Sequence, residues 1–277
     1  MEAHKNKTTW IRSKDPSLLQ NVREAVESWE LLLVLVRRQI SVRYAQTLFG
    51  AAWIVLQPIL TAALYTMVFG LFVKIQTGGI PYPLFSYCGM VLWLVFAQGI
   101  ERGSVALVQD ERLITKVYFP RVLLPVSSVL SVLVDFAVAG FVLVGVAWIW
   151  GFPPSTGMLL FPIAVVPAVL AAIGISALLS SLNIRWRDLR QVAPFLVQIW
   201  VWATPVAYPV EIAPAPWSTL VLLNPITPPV MLFRHAILGS AMPPLWSLGV
   251  SFAVSFLLFL VGMKVFAKVE KSFADYI

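Results

Sequence analysis

Long apolar runs recur along this chain of 277 residues, and polar or proline-rich gaps separate them. A helix that crosses the hydrocarbon core of a bilayer needs about 20 predominantly apolar residues, within a range of roughly 17–25. Six runs are compatible with such a helix, and they cover Gly50–Val73, Leu84–Val105, Val122–Trp150, Met158–Leu182, Val192–Tyr208 and Leu245–Phe266. The pattern therefore predicts an all-α membrane protein with six transmembrane helices.

A different pattern precedes the first run. Asp15 and Pro16 form a good helix start, because Asp caps free N–H groups and Pro is preorganised for the first turn. Apolar residues then recur at helical spacing, at Leu18, Leu19, Val22, Val26, Trp29 and Leu33. The apolar stretch Leu31–Val36 is too short to cross a bilayer, so we predict an amphipathic helix along the cytoplasmic membrane surface. Residues 1–45 are predicted to form a tail and interface helix, and residues 46–277 the six-span domain.

The stretch between the fifth and sixth runs is unusually rich in proline. Nine of the chain's 20 prolines lie between Pro205 and Pro244, among apolar pieces such as Trp217–Leu223 that are too short to span. Each proline ends a helix or turns the chain. We predict two short re-entrant helices that dip into the outer leaflet. Non-helical backbone at that depth is tolerated only where it is buried in protein or lines a cavity, so the stretch is expected to border a pathway.

The Lys and Arg residues fall almost entirely in alternate gaps. Eight precede the first run, four lie around the second gap, three in the fourth and three at the C-terminus, which places 18 of the 20 on one side of the membrane. Only Lys74 and Arg234 remain for the other side. Cytoplasmic loops carry an excess of Lys and Arg. We therefore expect a multi-pass protein of the bacterial inner membrane with both termini in the cytoplasm.

Composition agrees with a membrane protein. Hydrophobic residues make up 59% of the chain and charged residues 12%, whereas about 25% of the residues of a soluble domain are charged. The formal net charge is +7. Because the basic residues flank apolar runs and form no stripe, we expect membrane lipids, and not nucleic acid, as the partner of this charge.

The residues offer little for catalysis. The chain has one cysteine, Cys88, and two histidines, His4 and His235, without a metal-ligand partner at useful spacing. It contains no GxxxxGK[ST] sequence of a P-loop. We predict no catalytic residue, no metal site and no cofactor in this chain.

Asp135 is the exception among the acidic residues. It lies roughly 20 Å along a helix from Arg121, at a rise of 1.5 Å per residue, and thus near the middle of the bilayer. A carboxylate at that depth is a functional candidate, but no second intramembrane charge is evident in the sequence, and a structural Asp bonded to Ser131 or to a neighbouring helix is favoured slightly. Glu101 and Arg102 are expected to reach the cytoplasmic interface.

Aromatic residues recur on faces of three predicted spans. Most aromatics in membrane proteins are interfacial or packing residues. As a set, however, they suit sugar transport, because flat rings stack on the apolar C–H faces of pyranose rings. The candidate substrate-channel residues are Tyr65, Phe69, Phe72, Trp93, Phe96, Trp200 and Trp202.

Two cytoplasmic loops mix charged and apolar residues, which is typical of a docking surface. The first is Gln109–Arg121, predicted as a short helix with Leu113 and Ile114 as apolar anchors and charges at its rim. The second is Asn183–Arg190. The candidate coupling residues are Asp110, Glu111, Leu113, Ile114, Lys116, Arg185, Trp186, Arg187 and Asp188.

Several short motifs, in this order, resemble one family. They are Arg43-Tyr44, Leu48-Phe-Gly-Ala-Ala-Trp53, Leu56-Gln-Pro58, Leu113-Ile-Thr-Lys-Val-Tyr-Phe-Pro-Arg121, Leu133-Val-Asp-Phe136, Arg187-Asp-Leu189, Thr204-Pro205, Tyr208-Pro209 and Asn224-Pro225. From about Trp29 to the C-terminus the chain is similar to the permeases of type-2 ABC exporters, and most similar to those that export polysaccharides such as O-antigen (Wzm-type), capsule and teichoic acid. Relatives often have Pro at the position of Ala51.

The resemblance implies a homodimer paired with two copies of a separate cytoplasmic ATPase, which binds ATP and Mg. It implies that the interface helix and both cytoplasmic loops meet this ATPase, and that the substrate is a lipid-linked polysaccharide. It also implies an external gate in the proline-rich stretch, where the candidate residues are Tyr208, Pro209, Trp217, Asn224 and Pro225.

Three alternatives remain open. A type-2 exporter of drugs or other lipids has the same span pattern, although the aromatic residues and the short external stretch favour polysaccharide. A membrane-embedded glycosyltransferase or acyltransferase needs clustered polar catalytic groups near one interface, which the sequence lacks. A secondary transporter normally shows inverted repeats and paired midplane charges, and Asp135 alone is weak support for it.

Overall fold

The computed structural model describes residues 28–45, 52–116 and 119–270, and all regular structure in this part of the chain is helical. We name the two ends of the molecule external and cytoplasmic, as expected from the charge distribution. The α-helices, in chain order, are α1 (Trp29–Tyr44), α2 (Ala52–Tyr65), α3 (Tyr82–Gln109), α4 (Glu111–Lys116), α5 (Leu123–Ile149), α6 (Phe161–Arg185), α7 (Val192–Trp200), α8 (Trp217–Leu223), α9 (Thr227–Leu238) and α10 (Leu245–Glu270). The described residues also include a π-helix at Thr66–Phe72, which continues α2, and 3₁₀ helices at Thr156–Leu160, Arg187–Gln191 and Val210–Ile212.

The structure confirms an all-α membrane protein. Among the described residues, five helical segments are long and apolar enough to cross a membrane, and they are Ala52–Phe72, Tyr82–Gln109, Leu123–Ile149, Thr156–Arg185 and Leu245–Glu270. These match the first, second, third, fourth and sixth predicted spans to within a few residues at most ends. A sixth candidate is a broken segment, in which α8 and α9 are bent by 87°.

The fifth predicted span differs most from the sequence prediction. Its helix α7 has nine residues, Val192–Trp200, and successive turns follow up to Tyr208. Pro205 and Pro209 lie in or next to these turns, and a proline has no N–H group to continue a helix. The segment Val192–Tyr208 is therefore a short helix and an irregular continuation, and not one uninterrupted span.

The described part of the predicted interface helix is α1, which ends at Tyr44. It packs along α5, and only Leu35 is fully buried among its side chains. The predicted helix start at Asp15 and Pro16 lies outside the described residues.

The helix α3 forms the centre of the protomer. Twenty of its 28 residues are buried, because α2, α5, α6, α7 and α9 all pack around it. The opposite case is α2, in which only Pro58 and Ala62 are buried. The π-helix that continues α2 buries none of its residues. Within the described residues, α2 and this π-helix thus form a side of the molecule that the other helices leave uncovered.

Candidate functional site

An aromatic cluster lies on the uncovered side of the protomer. Tyr65 and Phe69 belong to α2 and its π-helix, and their ring centroids are 6.0 Å apart. Trp202, in the turns after α7, lies 6.4 Å from Tyr65 and 6.3 Å from Phe69. Phe72, one turn further, is 71% exposed. We call Tyr65, Phe69, Phe72 and Trp202 the aromatic face. The structure thus brings three of the seven predicted channel residues into contact, and Phe72 follows on the same helical segment.

The remaining three predicted channel residues lie inside the protomer. Trp93 and Phe96 on α3 are 3% and 0% exposed, and their centroids are 5.4 Å apart. Phe96 packs edge-on against Trp200 at 5.0 Å. The structure places Trp93 and Phe96 in the core between α3 and its neighbouring helices, and not on the uncovered side, which corrects their predicted place in a channel wall. Trp200 is half-buried and joins this core to the external segment.

Asn224 connects the end of α7 to the bend between α8 and α9. Its side-chain oxygen accepts hydrogen bonds from the Trp200 indole N–H at 3.1 Å and from the Ile226 backbone N–H at 3.2 Å. Its amide nitrogen donates to the Ala203 carbonyl at 3.0 Å and to the Thr204 hydroxyl at 2.9 Å. The Asn224 side chain thus provides hydrogen-bond partners for four polar groups at the place where two helices are interrupted. Broken helices within membranes need such partners for their free backbone groups.

Arg234 on α9 donates hydrogen bonds to the irregular backbone that follows α7. Its guanidinium is 3% exposed and donates to the carbonyl oxygens of Pro205 at 2.7 Å, of Val206 and of Phe85 at 3.2 Å. It also lies over the Phe85 ring, 3.6 Å from the centroid. The sequence assigned this residue only to the external side, but its guanidinium satisfies the carbonyl groups that the broken α7 leaves free.

The other predicted gate residues surround this interruption. We call residues 208–225, which contain the five predicted gate residues, the gate segment. The Tyr208 hydroxyl donates to the Trp202 carbonyl at 2.9 Å, which links this segment to the aromatic face. Pro209 precedes a 3₁₀ turn, and Trp217 is 62% exposed on α8. The Pro225 carbonyl accepts a bond from Ser251 of α10 at 2.5 Å. The structure brings all five predicted gate residues into one connected external segment.

A group of charged side chains meets between α1, α3 and α5. Asp135 of α5 accepts hydrogen bonds from Arg43 at 2.5 Å, from Arg102 at 2.9 Å and from the Tyr44 hydroxyl at 2.7 Å. Arg43 also donates to Ser131 at 2.7 Å. We call Arg43, Tyr44, Arg102 and Asp135 the charge cluster.

The charge cluster corrects two expectations from the sequence. Arg102 points inward to Asp135 and does not extend to the cytoplasmic interface, and Ser131 bonds Arg43 and not Asp135. The intramembrane partners that Asp135 lacked in the sequence come from neighbouring helices, which no pattern along one helix reveals. The Arg43-Tyr44 motif was the one indication of such partners in the sequence, since it places two polar side chains at the end of α1.

A cavity of about 210 Å³ adjoins the charge cluster. Its wall includes all four members of the cluster, together with Trp53, Ile54, Gln57, Val91, Leu94, Val95, Gln98, Val132, Phe136 and Ala139. A second, external cavity of about 710 Å³ lies between the turn at residues 76–80 and the gate segment, with Glu211, Arg234 and Ser240 in its wall.

The predicted coupling residues divide into an inner and an outer set. Ile114 is 7% exposed and packs in a small core with Leu35, Leu107 and Phe266. Leu113 is half-buried against the same core. The two residues therefore anchor α4 within the protomer, which is a correction to their predicted role as anchors in a partner. Short helices bury their few apolar side chains against whatever surface lies next to them, and here it is the chain itself.

Asp110 also belongs to the inner set. Its carboxylate accepts from Arg38 at 2.6 Å and from Gln39 at 3.4 Å, so it joins the start of α4 to α1. The outer set is exposed and consists of Glu111, Lys116, Arg185, Trp186 and Asp188. Within it the Arg185 guanidinium lies 4.9 Å from the centroid of the Trp186 ring. The side chain of Arg187 is outside the described ones.

Among the described residues, no group of three or more His, Cys, Asp or Glu side chains could hold a metal ion. What the described geometry provides is a bundle of spans with a broken external segment, an uncovered aromatic face and a charged cytoplasmic end.

These features define a membrane transport subunit of a known family. Residues 30–238 match the ABC-2 type transporter family, and the chain belongs to it. This confirms the resemblance seen in the sequence motifs.

Two curated relatives are similar over nearly their whole length. One, from Klebsiella pneumoniae, is named O-antigen export system permease protein RfbA and is 27% identical over 248 residues, which are 89% of this chain and 95% of the relative. Another of the same name, from Myxococcus xanthus, is 27% identical over 263 residues, which are 94% of this chain and 100% of the relative.

Proposed function

We propose that this chain is the transmembrane permease subunit of an ATP-driven exporter that moves lipid-linked, O-antigen-like polysaccharide across the bacterial inner membrane. The observation that carries the proposal is the similarity to O-antigen export permeases over 89–94% of the chain. The chain itself is then not an enzyme. ATP and Mg bind to a separate ATPase subunit, and both termini of the permease lie in the cytoplasm.

The aromatic face supports a sugar substrate. A hydrophilic polymer must cross about 30 Å of hydrocarbon, yet the uncovered side of α2 carries no charged residue between Ala52 and Phe72. Aromatic rings are compatible with both environments, because they pack against apolar groups and stack on the C–H faces of sugars. The successive rings of Tyr65, Phe69 and Phe72 offer a series of such surfaces along the helix.

The uncovered side also supports a homodimer. Besides the aromatic face, α2 exposes large apolar side chains such as Leu60 and Leu64, at 55% and 57%, and α7 exposes Phe195 and Ile199, at 61% and 53%. Two copies that meet along α2 and α7 would enclose the aromatic face between them. Closed two-fold pairs are the commonest symmetry of oligomers. The pathway is proposed to run between the two subunits, with the segment around Asn224 closing its external mouth.

The outer set of cytoplasmic residues is proposed to contact two copies of the ATPase. Glu111 and Lys116 present both signs of charge on α4, and Trp186 is 50% exposed beside Arg185. Exposed aromatic and Arg side chains are typical of the residues that contribute most to protein interfaces. The buried Ile114 holds α4, which carries part of this surface, against the core of the chain.

Deletion and complementation test the proposal in a bacterium that carries the gene. Cells without the chain should accumulate lipid-linked polymer inside and lose it from the surface, and the native chain should restore export. A variant with Tyr65, Phe69, Phe72 and Trp202 all changed to Leu should reach the membrane but restore little surface polymer.

The matched control replaces Phe141 and Trp148 with Leu. Both are exposed aromatics, 83% and 66%, on α5, outside the aromatic face, and their loss should leave export normal. Normal surface polymer in cells without the chain would contradict the proposed function. Normal export by the fourfold variant would show that the aromatic face only packs.

A further inference from the structure

The cavity next to the charge cluster contains more positive than negative charge. Of its 14 wall residues, Arg43 and Arg102 are cationic, Asp135 is anionic and the other 11 are uncharged. The carboxylate of Glu101 interacts electrostatically with Arg102 but is not part of the wall. The wall thus carries a net charge of one positive unit among apolar helices.

The single carboxylate in the wall carries one negative charge, which cannot neutralise the positive charges of both arginines. One oxygen of Asp135 accepts from Tyr44, and its other oxygen accepts from both Arg43 and Arg102. A charge within the membrane is expensive unless it is paired or faces a polar cavity. An anion that enters this cavity would meet two cationic side chains and one carboxylate in the wall.

Donor groups for such an anion line the same cavity. A guanidinium has five N–H donors, and the one side-chain bond that Arg102 donates within the described structure goes to Asp135. Gln98 belongs to the wall, and its side-chain oxygen is buried without a hydrogen-bond partner among the described residues. A flip of the Gln98 amide by about 180° exchanges its oxygen and nitrogen, so that its two N–H donors take the position of the unpaired oxygen.

The dimensions and the apolar part of the wall suit a lipid headgroup. The volume of about 210 Å³ greatly exceeds the roughly 10–15 Å³ that a cavity needs to hold one water molecule. Ile54, Leu94 and Phe136 provide apolar surface next to the arginines. A headgroup with an attached hydrocarbon chain can use both parts, whereas a free inorganic ion can use only the charged part.

We propose that this cavity binds the phosphate group of a lipid, with Arg102 and Arg43 as the cationic ligands and Gln98 as a neutral donor. The inference deepens the proposed function, because a lipid-linked polysaccharide that carries phosphate next to its lipid would present this chemistry. A membrane phospholipid would present it as well.

Lipid titration of the purified full-length chain, followed by native mass spectrometry, tests the proposal. The probes are dioctanoyl phosphatidic acid, farnesyl diphosphate and inorganic phosphate, with dioctanoylglycerol and farnesol as matched lipids without phosphate. We expect the phosphate-bearing lipids to bind at least tenfold more tightly than their matched lipids and than inorganic phosphate. Preference for farnesyl diphosphate would assign the cargo lipid as the ligand, and preference for phosphatidic acid a membrane phospholipid.

Variants should change this affinity in opposite directions. Arg102→Gln removes one of the two cations of the wall and should weaken binding at least tenfold, whereas Asp135→Asn removes the carboxylate of the wall and should tighten binding. Arg37→Gln is the matched control, since Arg37 is exposed on α1 outside the cavity wall. If Asp135→Asn does not fold, the comparison of Arg102→Gln with Arg37→Gln decides.

Equal affinity for lipids with and without phosphate would overturn the inference, as would equal binding by inorganic phosphate or an Arg102→Gln variant that binds like the native chain. The assay contains neither polymer nor ATPase. Failure here together with normal complementation would therefore remove the lipid site and leave the proposed function in place.

Discussion

Arg234 near the external end and Arg102 near the cytoplasmic end both lie among the membrane helices, but their partners differ. Arg234 is buried and donates to the backbone carbonyls of Pro205, Val206 and Phe85. Arg102 is partly exposed and donates to the carboxylate of Asp135, which it shares with Arg43. Arg234 provides hydrogen bonds for the backbone carbonyls after α7 that have no helical partner, whereas Arg102 belongs to a group of ionised side chains beside a cavity.

This difference indicates different roles for the two ends. A guanidinium that satisfies main-chain carbonyl groups holds one backbone arrangement, because unmade hydrogen bonds of buried groups are costly. A guanidinium that shares a counter-ion next to a cavity can exchange partners when an anion enters. We therefore expect substitutions at the external end to act mainly on stability, and those at the cytoplasmic end mainly on binding and coupling.

The largest effect is expected for Arg234→Met. The change leaves the carbonyls of Pro205, Val206 and Phe85 without the guanidinium, and each buried polar group left unsatisfied costs about 1–3 kcal/mol. Arg102→Met, the matched change at the other end, leaves Arg43 and Asp135 as a balanced pair. Thermal unfolding of the purified variants in detergent should show a much larger loss for Arg234→Met. An equal loss for the two variants would contradict the distinction.

A smaller loss of stability is expected for Ile114→Ala. Replacing a buried Ile by Ala typically costs about 2–5 kcal/mol, less than three unsatisfied carbonyl groups together, and Ile114 lies in the core formed by α1, α3 and α10. Thermal unfolding of the permease without its ATPase should reveal the loss. If the isolated permease keeps its stability and only its complex with the ATPase is weakened, Ile114 is an interface anchor after all.

The smallest effect on stability, close to none, is expected for Lys116→Glu. Lys116 is exposed at the end of α4, and exposed charges usually contribute less than about 1 kcal/mol. The change reverses a charge on the proposed ATPase surface, so the fraction of ATP hydrolysis that drives export should fall. Lys264→Glu, an exposed lysine of α10, is the control. Equal coupling in both variants would place the ATPase contact elsewhere.

Regular features of the fold could be predicted from the sequence. Five spans followed from apolar length, because the bilayer requires about 20 residues for each helix, and most of their predicted ends lie within a few residues of the five helical segments that are long enough to cross. The fifth span was harder to predict, since apolar composition continues through Val201 and Trp202 although the helix ends at Trp200.

The candidate site was predictable only in part, because packing between helices decides which face of a helix is covered. Tyr65, Phe69, Trp93 and Phe96 have similar spacing in the sequence, but the first two are on a helix with few neighbours and the last two are on the central helix. The same reason applies to Ile114, whose buried side lies against the protomer. Proline content and the Asn224-Pro225 motif, by contrast, indicated the external interruption directly, since proline acts on local backbone.

The most direct test of the account is transport by purified components in sealed vesicles. Proteoliposomes that contain the permease and its ATPase would be loaded with lipid-linked polysaccharide on the ATPase side, and polymer on the opposite side would be measured with and without ATP. We predict ATP-dependent transfer that requires both subunits and is largely lost in the variant with Tyr65, Phe69, Phe72 and Trp202 replaced by Leu. Transfer at the same rate without the permease would contradict the account.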